Sequence, residues 1–319
     1  MDRIVIGVDI SKKNFDVALY SPDKKWLNRV FANNQKGFEA LLNWFRQKEF
    51  SPDRVAMEAT GRYGEELARF LYDKGYTVLV LNPAQVKYFA KSKLSRAKTD
   101  KKDARLIAEF ALMHEDLRAW APLPASQEKL RELYRCLSRL KEDRTQQLNR
   151  LESARDVDVK KIVVDQLKFL NEQIETLEEQ IRHLIASDSG LKGKAELLES
   201  IPGIGEVASW GVLSETPDLR NFGSARQLAA FAGLNPSIFE LGSSVRGRGN
   251  ISKIGSGSLR KLLYMPGMSA MRFNPVIKAF AETLRAKGKN GKVIVVACMR
   301  KLLHIIYGVL TKQQPFCAG

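Results

Sequence analysis

Histidine and cysteine are scarce in this 319-residue sequence, with three of each. Cys136, Cys298 and Cys317, and His114, His183 and His304, are scattered without the spacing of zinc ligands, so no structural zinc is expected. So few cysteines suit a reducing compartment rather than a disulfide framework. The chain opens Met1-Asp2-Arg3 and then a short apolar run, which lacks the longer apolar segment of a signal peptide. No apolar run is expected to reach the roughly 18 residues of a membrane span. The expectation is a cytoplasmic protein with no membrane partner. Acid is also missing from one region: between Leu241 and Gly319 a single carboxylate, Glu282, stands against 14 Lys and Arg, so this quarter holds +13 of the formal +16. Such a surface calls for a polyanion, because each phosphate neutralised releases condensed counterions.

An apolar fraction of 44% with 28% charged residues is enough to bury real cores, and the length suits two compact units plus a connector. Residues 3–9, 14–20 and 26–32 are short β-branched or aromatic runs separated by turn-sized polar pieces, which predicts three strands in a meander. The period then changes: Phe38, Leu41, Leu42 and Phe45 lie at helical spacing, followed by a strand at 54–58, a helix at 63–74 and a strand at 76–81 that Asn82-Pro83 ends. Three antiparallel strands followed by helix and strand in alternation is an RNase H-like order, fragments of which many α/β folds share.

Between Gln127 and Ser187, Leu130, Leu133, Leu137 and Leu140, then Val163, Leu167, Leu170, Ile174, Leu177, Ile181 and Leu184, recur at heptad-like spacing. Two readings stay open there, a helical hairpin within the chain and a zipper between chains. Further on, Leu197–Gly205 ends in Ile-Pro-Gly-Ile-Gly before an amphipathic stretch, the pattern of a helix-hairpin-helix. There Gly203 and Gly205 would let backbone N–H groups approach a phosphate, against the plain alternative of a helix–helix turn. Helices are expected at 256–271, 275–284 and 293–310. The domain expectation is a catalytic unit over 1–115, coiled-coil helices over 126–188 and a basic nucleic-acid-binding unit over 190–319.

Phosphoryl transfer by two metal ions needs several oxygen ligands converging on ions about 4 Å apart. Asp9 closes the first strand and Glu58 the fourth, and an RNase H-like order makes those strand ends neighbours. Asp100 and Asp103, in Lys-Thr-Asp-Lys-Lys-Asp-Ala-Arg, lie three apart at the start of a predicted helix and so share one side of it. Singly, Asp9 or Glu58 reads as a solvent-facing strand end and Asp100 as an N-cap. Four in an order that one fold can bring together read as a metal site.

The segments IGVDISKKNFDVAL, MEATGRYGEELARFLYDKGY, NPAQVKYFAKS, KTDKKDARLIAEF, LLESIPGIGEVAS, RQLAAFAGLNP and ISKIGSGSLRKLLYMP closely resemble the DEDD transposases of insertion-sequence family 110, relatives of the Piv site-specific invertases. The likeness runs from Ile4 to about Phe316. It implies an RNase H-like (RuvC-like) N-terminal domain whose four acids match Asp9, Glu58, Asp100 and Asp103, with Mg2+ or Mn2+ as cofactor. It further implies a coiled-coil connector and a mainly helical C-terminal transposase domain. Implied partners are donor and target double-stranded DNA, a structured non-coding bridge RNA in some members, and further copies of the chain as a homodimer or a tetramer of dimers, nucleoid-associated on DNA.

One position departs from the pattern. The family serine that acts as nucleophile falls here on Leu241, which has no nucleophilic oxygen. An inactivated copy, substitution by Ser243 or Ser244, and a local slip of the match compete, and the first is preferred. Around that loop Arg246, Arg248, Lys253, Arg260 and Lys261 would hold scissile phosphates, unless they are an ordinary solvated charge run. Lys93, Arg96 and Lys98, and Lys287, Lys289 and Lys292, invite a similar reading. Rival functions are a junction resolvase or nuclease with the same carboxylates, a protein that only binds nucleic acid, and an actin-like kinase, which would need a second glycine-rich phosphate motif that the sequence lacks.

Overall fold

The computed structural model describes residues 4–20, 25–59, 62–93, 100–237, 240–241, 245–246 and 250–318. The chain divides into two compact units, Met1–Pro122 and Leu123–Gly319.

In the first unit the elements run β1 (Val5–Ile10), β2 (Asn14–Tyr20), β3 (Trp26–Ala32), α1 (Gln35–Gln47), β4 (Arg54–Glu58), α2 (Arg62–Asp73), β5 (Thr77–Leu81), α3 (Pro83–Ser92) and α4 (Asp100–Met113). The strands form one sheet in the order β3-β2-β1-β4-β5, with β2 antiparallel to both neighbours and β1, β4 and β5 parallel. This is the RNase H-like order expected from the sequence. Alternation along each strand separates two faces. Ile6, Val8, Phe15, Val17, Leu19, Val55 and Met57 turn to one side, where Phe38, Leu41 and Phe45 of α1 and Leu67 and Leu71 of α2 cover them. Val5, Ala56, Leu79 and Leu81 turn to the other, against Val86 of α3 and Ile107, Phe110 and Ala111 of α4.

Asn82-Pro83 does more than end a strand. The Asn82 side chain accepts from the Ala84 amide at 2.9 Å and Pro83 occupies the first helical turn, so the pair starts α3, a helix the sequence reading omitted.

In the second unit, α5 (Ala125–Ser153) and α6 (Val157–Ser187) pack against each other, followed by α7 (Ser189–Glu199), α8 (Glu206–Glu215), a 3-10 turn at Leu219–Asn221 and α9 (Ala225–Phe231). Two short ribbons come next, β6 (Pro236–Ser237) with β9 (Asn250–Ile251) and β7 (Glu240–Leu241) with β8 (Val245–Arg246). The chain ends in α10 (Gly257–Leu262), α11 (Tyr264–Phe273), α12 (Pro275–Ala286) and α13 (Gly291–Lys312). Leu130 and Leu137 of α5 and Ile174, Ile181 and Ile185 of α6 join one core with α13. The helical stretch at 127–187 is therefore two helices of a hairpin; Asp156 restarts the second by accepting from the amides of Asp158 and Val159. The helix expected at 256–271 is also divided. Pro266 has no amide proton and its ring excludes the carbonyl four residues earlier, at Leu262, where α10 stops.

α13 corrects another expectation. It is long and apolar enough to cross a membrane by length and composition. Its Ile294, Cys298, Met299, Leu302, Leu303 and Ile306 are buried in the core of this unit.

Candidate active site and nucleic-acid interface

The register of the sheet builds the acidic site. Asp9 faces Asp16 across β1 and β2, and the pairing of Val8 with Met57 puts Glu58, the next residue of β4, level with Asp9. Alternation sets all three on the face of Gly7, Ala18 and Ala56, the face that α4 covers. Asp16, Asp9 and Glu58 thus form one row across three adjacent strands, each half-buried.

A close approach fixes α4 over that row. A Cβ at Gly7 would fall 2.0 Å from the Ala104 carbonyl oxygen and 2.5 Å from the Ala108 nitrogen, so only glycine admits the helix. Further along, Val5 packs with Ile107, Phe110 and Ala111, and Arg54, its neighbour on β4, donates to the Glu115 carbonyl beyond the helix end. α4 therefore runs antiparallel to β1, and its N-terminal turn, with Asp100 first and the half-buried Asp103 one turn on, lies toward Asp9 and Glu58. Arg105 steadies this arrangement by donating to Asn28 Oδ1 from Nε at 2.9 Å and from Nη2 at 2.5 Å, with its guanidinium 5.6 Å from the centre of the Trp26 ring.

Four carboxylates without thiol or imidazole are a donor set for a hard divalent cation. Among the described residues no group of three or more His, Cys, Asp or Glu is disposed to hold a metal ion, and the Asp100 side chain lies outside them. Sequence reasoning missed Asp16 and Arg105. The first was findable, because a tight turn centred between Lys12 and Lys13 pairs residues symmetrically about it and sets position 9 opposite position 16.

Of the basic residues singled out from sequence, several have structural partners. Arg260 donates from Nη1 to the Ala232 carbonyl at 2.9 Å and more weakly to Lys253 at 3.5 Å, bracing the end of α9 against the loop before α10. Lys261 pairs with Glu142 of α5 at 2.5 Å. Lys253 has φ +54°, and Lys93 pairs with Glu109 while covering the Phe89 ring. Gly203, at φ +106°, lies against α11, where a Cβ would be 2.7 Å from Ala270 Cα; packing alone demands glycine. Gly205 caps α8 with open space around it. Leu241 is paired with Val245 in the β7–β8 ribbon, which includes Arg246. Ser243, Ser244, Arg248, Arg96 and Lys98 lie outside the described residues. Lys287 and Lys289, between α12 and α13, and Lys292, in the first turn of α13, are exposed.

A DEDD transposase model for IS110 matches residues 6–157, and a model described as Transposase IS116/IS110/IS902 family matches residues 195–282. The pilin gene-inverting protein of Moraxella bovis is 34% identical over 320 residues, covering 99% of this chain and 98% of its own. The chain belongs to the DEDD transposases of the IS110 family. A probable family 20 transposase of Pseudomonas aeruginosa is 27% identical, covering 98% of both chains. A solved structure, T. thermophilus RuvC in complex with Holliday junction substrate, covers 37% of the chain and 99% of its own at 16% identity, with a TM-score of 0.28. Membership of this transposase family implies an enzyme that cuts and recombines DNA, with DNA as its partner.

Proposed function

We propose that this transposase catalyses metal-dependent cleavage and exchange of DNA strands at the ends of a mobile element or an invertible segment. The observation that carries the reading is the row of carboxylates on one sheet face, with the N-terminal turn of α4 brought to the same end of β1. Asp9, Glu58, Asp100 and Asp103 would hold Mg2+ or Mn2+. Such ions polarise a phosphodiester and stabilise the charge that develops on its leaving oxygen. The chain's own contribution is positional: register fixes Asp9 and Glu58, while the Gly7 contact and the Arg105–Asn28 bonds fix the helix that bears Asp103.

The finer reading is that Leu241 leaves the strand-joining step impaired, that a structured bridge RNA pairs with donor and target, and that two or four copies assemble on DNA. Domain limits of 1–115, 126–188 and 190–319 belong to the same reading. The test is strand exchange on a plasmid carrying the element's ends, with Mn2+ supplied. Leu241→Ser is expected to raise joining about 100-fold over the wild-type chain. Adding Asp9→Ala should abolish it. Equal joining by wild type and Leu241→Ser removes the impairment; joining that survives Asp9→Ala removes the carboxylate site.

A further inference from the structure

Several arginines of the second unit are engaged. Arg135 pairs with Glu215 at 2.8 Å, Arg182 with Glu206 at 2.9 Å, and Arg131 and Arg260 donate to the carbonyls of Ser214 and Ala232. One cluster differs. Arg300, Lys301 and His304 occupy neighbouring positions on α13, and α9, which carries Arg226, packs against that helix. Arg300, Lys301 and His304 are half-buried, and Arg226 is exposed beside them. Two of their polar atoms, Arg300 Nε and His304 Nε2, are buried with no hydrogen-bond partner.

The surroundings make this arrangement costly in the absence of a ligand. A half-dehydrated guanidinium is normally matched by a carboxylate or by carbonyls. Burial, and after it the cationic charges of Arg300, Lys301 and Arg226, hold the His304 imidazole below the usual histidine range. The cluster is also held in place from outside: one turn beyond His304 the Tyr307 hydroxyl donates to the Phe222 carbonyl at 3.0 Å, tying the segment before α9 to α13. Three cations gathered on two packed helices, with the Arg300 Nε and the His304 Nε2 buried and unpartnered, match the oxygens of a phosphate, for which guanidinium is the geometrically suited partner.

We propose that Arg226, Arg300, Lys301 and His304 form a binding subsite for a backbone phosphate of duplex DNA. The inference rests on the reading of the chain as a DNA-acting transposase, and it adds where in the second unit the duplex is gripped. It does not depend on the acidic row.

The test uses the full chain and a random-sequence DNA duplex. Arg226→Gln combined with Lys301→Gln, the first at an exposed and the second at a half-buried position, should weaken binding roughly tenfold near 0.1 M salt and flatten the salt dependence by about two ions, since each phosphate contact contributes about 0.9 to the slope. Circular dichroism and melting should match the wild type. Unchanged affinity and slope overturn the subsite. In the unmutated chain, the His304 ring proton, assigned by its loss in His304→Gln, should shift as duplex is added. A shift with inorganic phosphate but none with duplex would overturn the backbone assignment in favour of a free-anion site, and no shift with either overturns the proposal altogether. Asp9→Ala should leave both binding and shift intact while abolishing cleavage, so a failure here is distinguishable from a failure of the acidic site.

Discussion

The two units place charge by different means. In the first, backbone pairing does it: once Val8 pairs with Val17 and with Met57, the level and face of Asp9, Asp16 and Glu58 follow, and a slip of one residue would turn every acid to the opposite face. In the second, cations ride on helix surfaces. What each does depends on the neighbour it meets: Arg260 became a brace and Lys261 half of an ion pair, whereas Arg300 keeps its Nε buried without a hydrogen-bond partner. A sheet fixes chemistry by register; a helical unit leaves it to packing.

The contrast breaks most sharply if single carboxylates prove dispensable. Asp9→Ala and Asp103→Ala should each lower metal-dependent strand cleavage at least ~1000-fold, equivalent to about 4 kcal/mol of transition-state stabilisation, with duplex affinity within about twofold of wild type. Cleavage measured on a plasmid, beside a binding titration, reads both.

Next in size is the helix contact. Gly7→Val should cost the first unit about 3 kcal/mol or more, because the Ala104 and Ala108 backbone cannot yield to a side chain. Denaturant unfolding should show a loss confined to this unit.

The second unit carries its own marker in the alkaline range. Burial, reinforced by the nearby Glu215 carboxylate, pushes the Tyr134 hydroxyl up to about 12. A folded-state value above the unfolded value of 10 means that the protonated phenol is favoured by folding. The associated stability is full below pH 10 and is lost as pH rises from 10 through 12, about 2–3 kcal/mol in all. Melting temperature against pH, compared with Tyr134→Phe, should show the fall in wild type and a shallower one in the variant.

Smaller effects sharpen the division between structural and nucleic-acid cations. Arg260→Ala should destabilise the second unit by about 1–3 kcal/mol, since it removes a donor from a partly buried carbonyl. Lys261→Ala, at an exposed pair with Glu142, should cost less than about 1 kcal/mol. Thermal unfolding of the two variants checks the ranking.

Much of the first unit was legible in the chain. The meander at 3–9, 14–20 and 26–32 and the strands near 54–58 and 76–81 are set by local alternation and turn residues, and they reappear within a residue or two. The four acids proposed for the site rest on residue type and spacing, and the cleavage assay on Asp9→Ala and Asp103→Ala is their test. Asp16 was passed over because its partner depends on the pairing of two strands. The helix at 83–92 was missed because Asn-Pro both ends an extended run and begins a helix. In the second unit, heptad leucines announced α5 and α6, but the same spacing serves a seam inside a chain or between chains, so periodicity alone left that choice open.

By itself the sequence determined the order of strands in the first unit, the acids proposed for the site, the +13 at the C-terminal end and the leucine at position 241, since these are written in residue type and spacing. Tertiary structure alone decided which glycine yields to a helix, which arginine is consumed in bracing and which cations remain without a counter-charge. Those outcomes depend on distances between atoms far apart in the chain, and no local pattern encodes them.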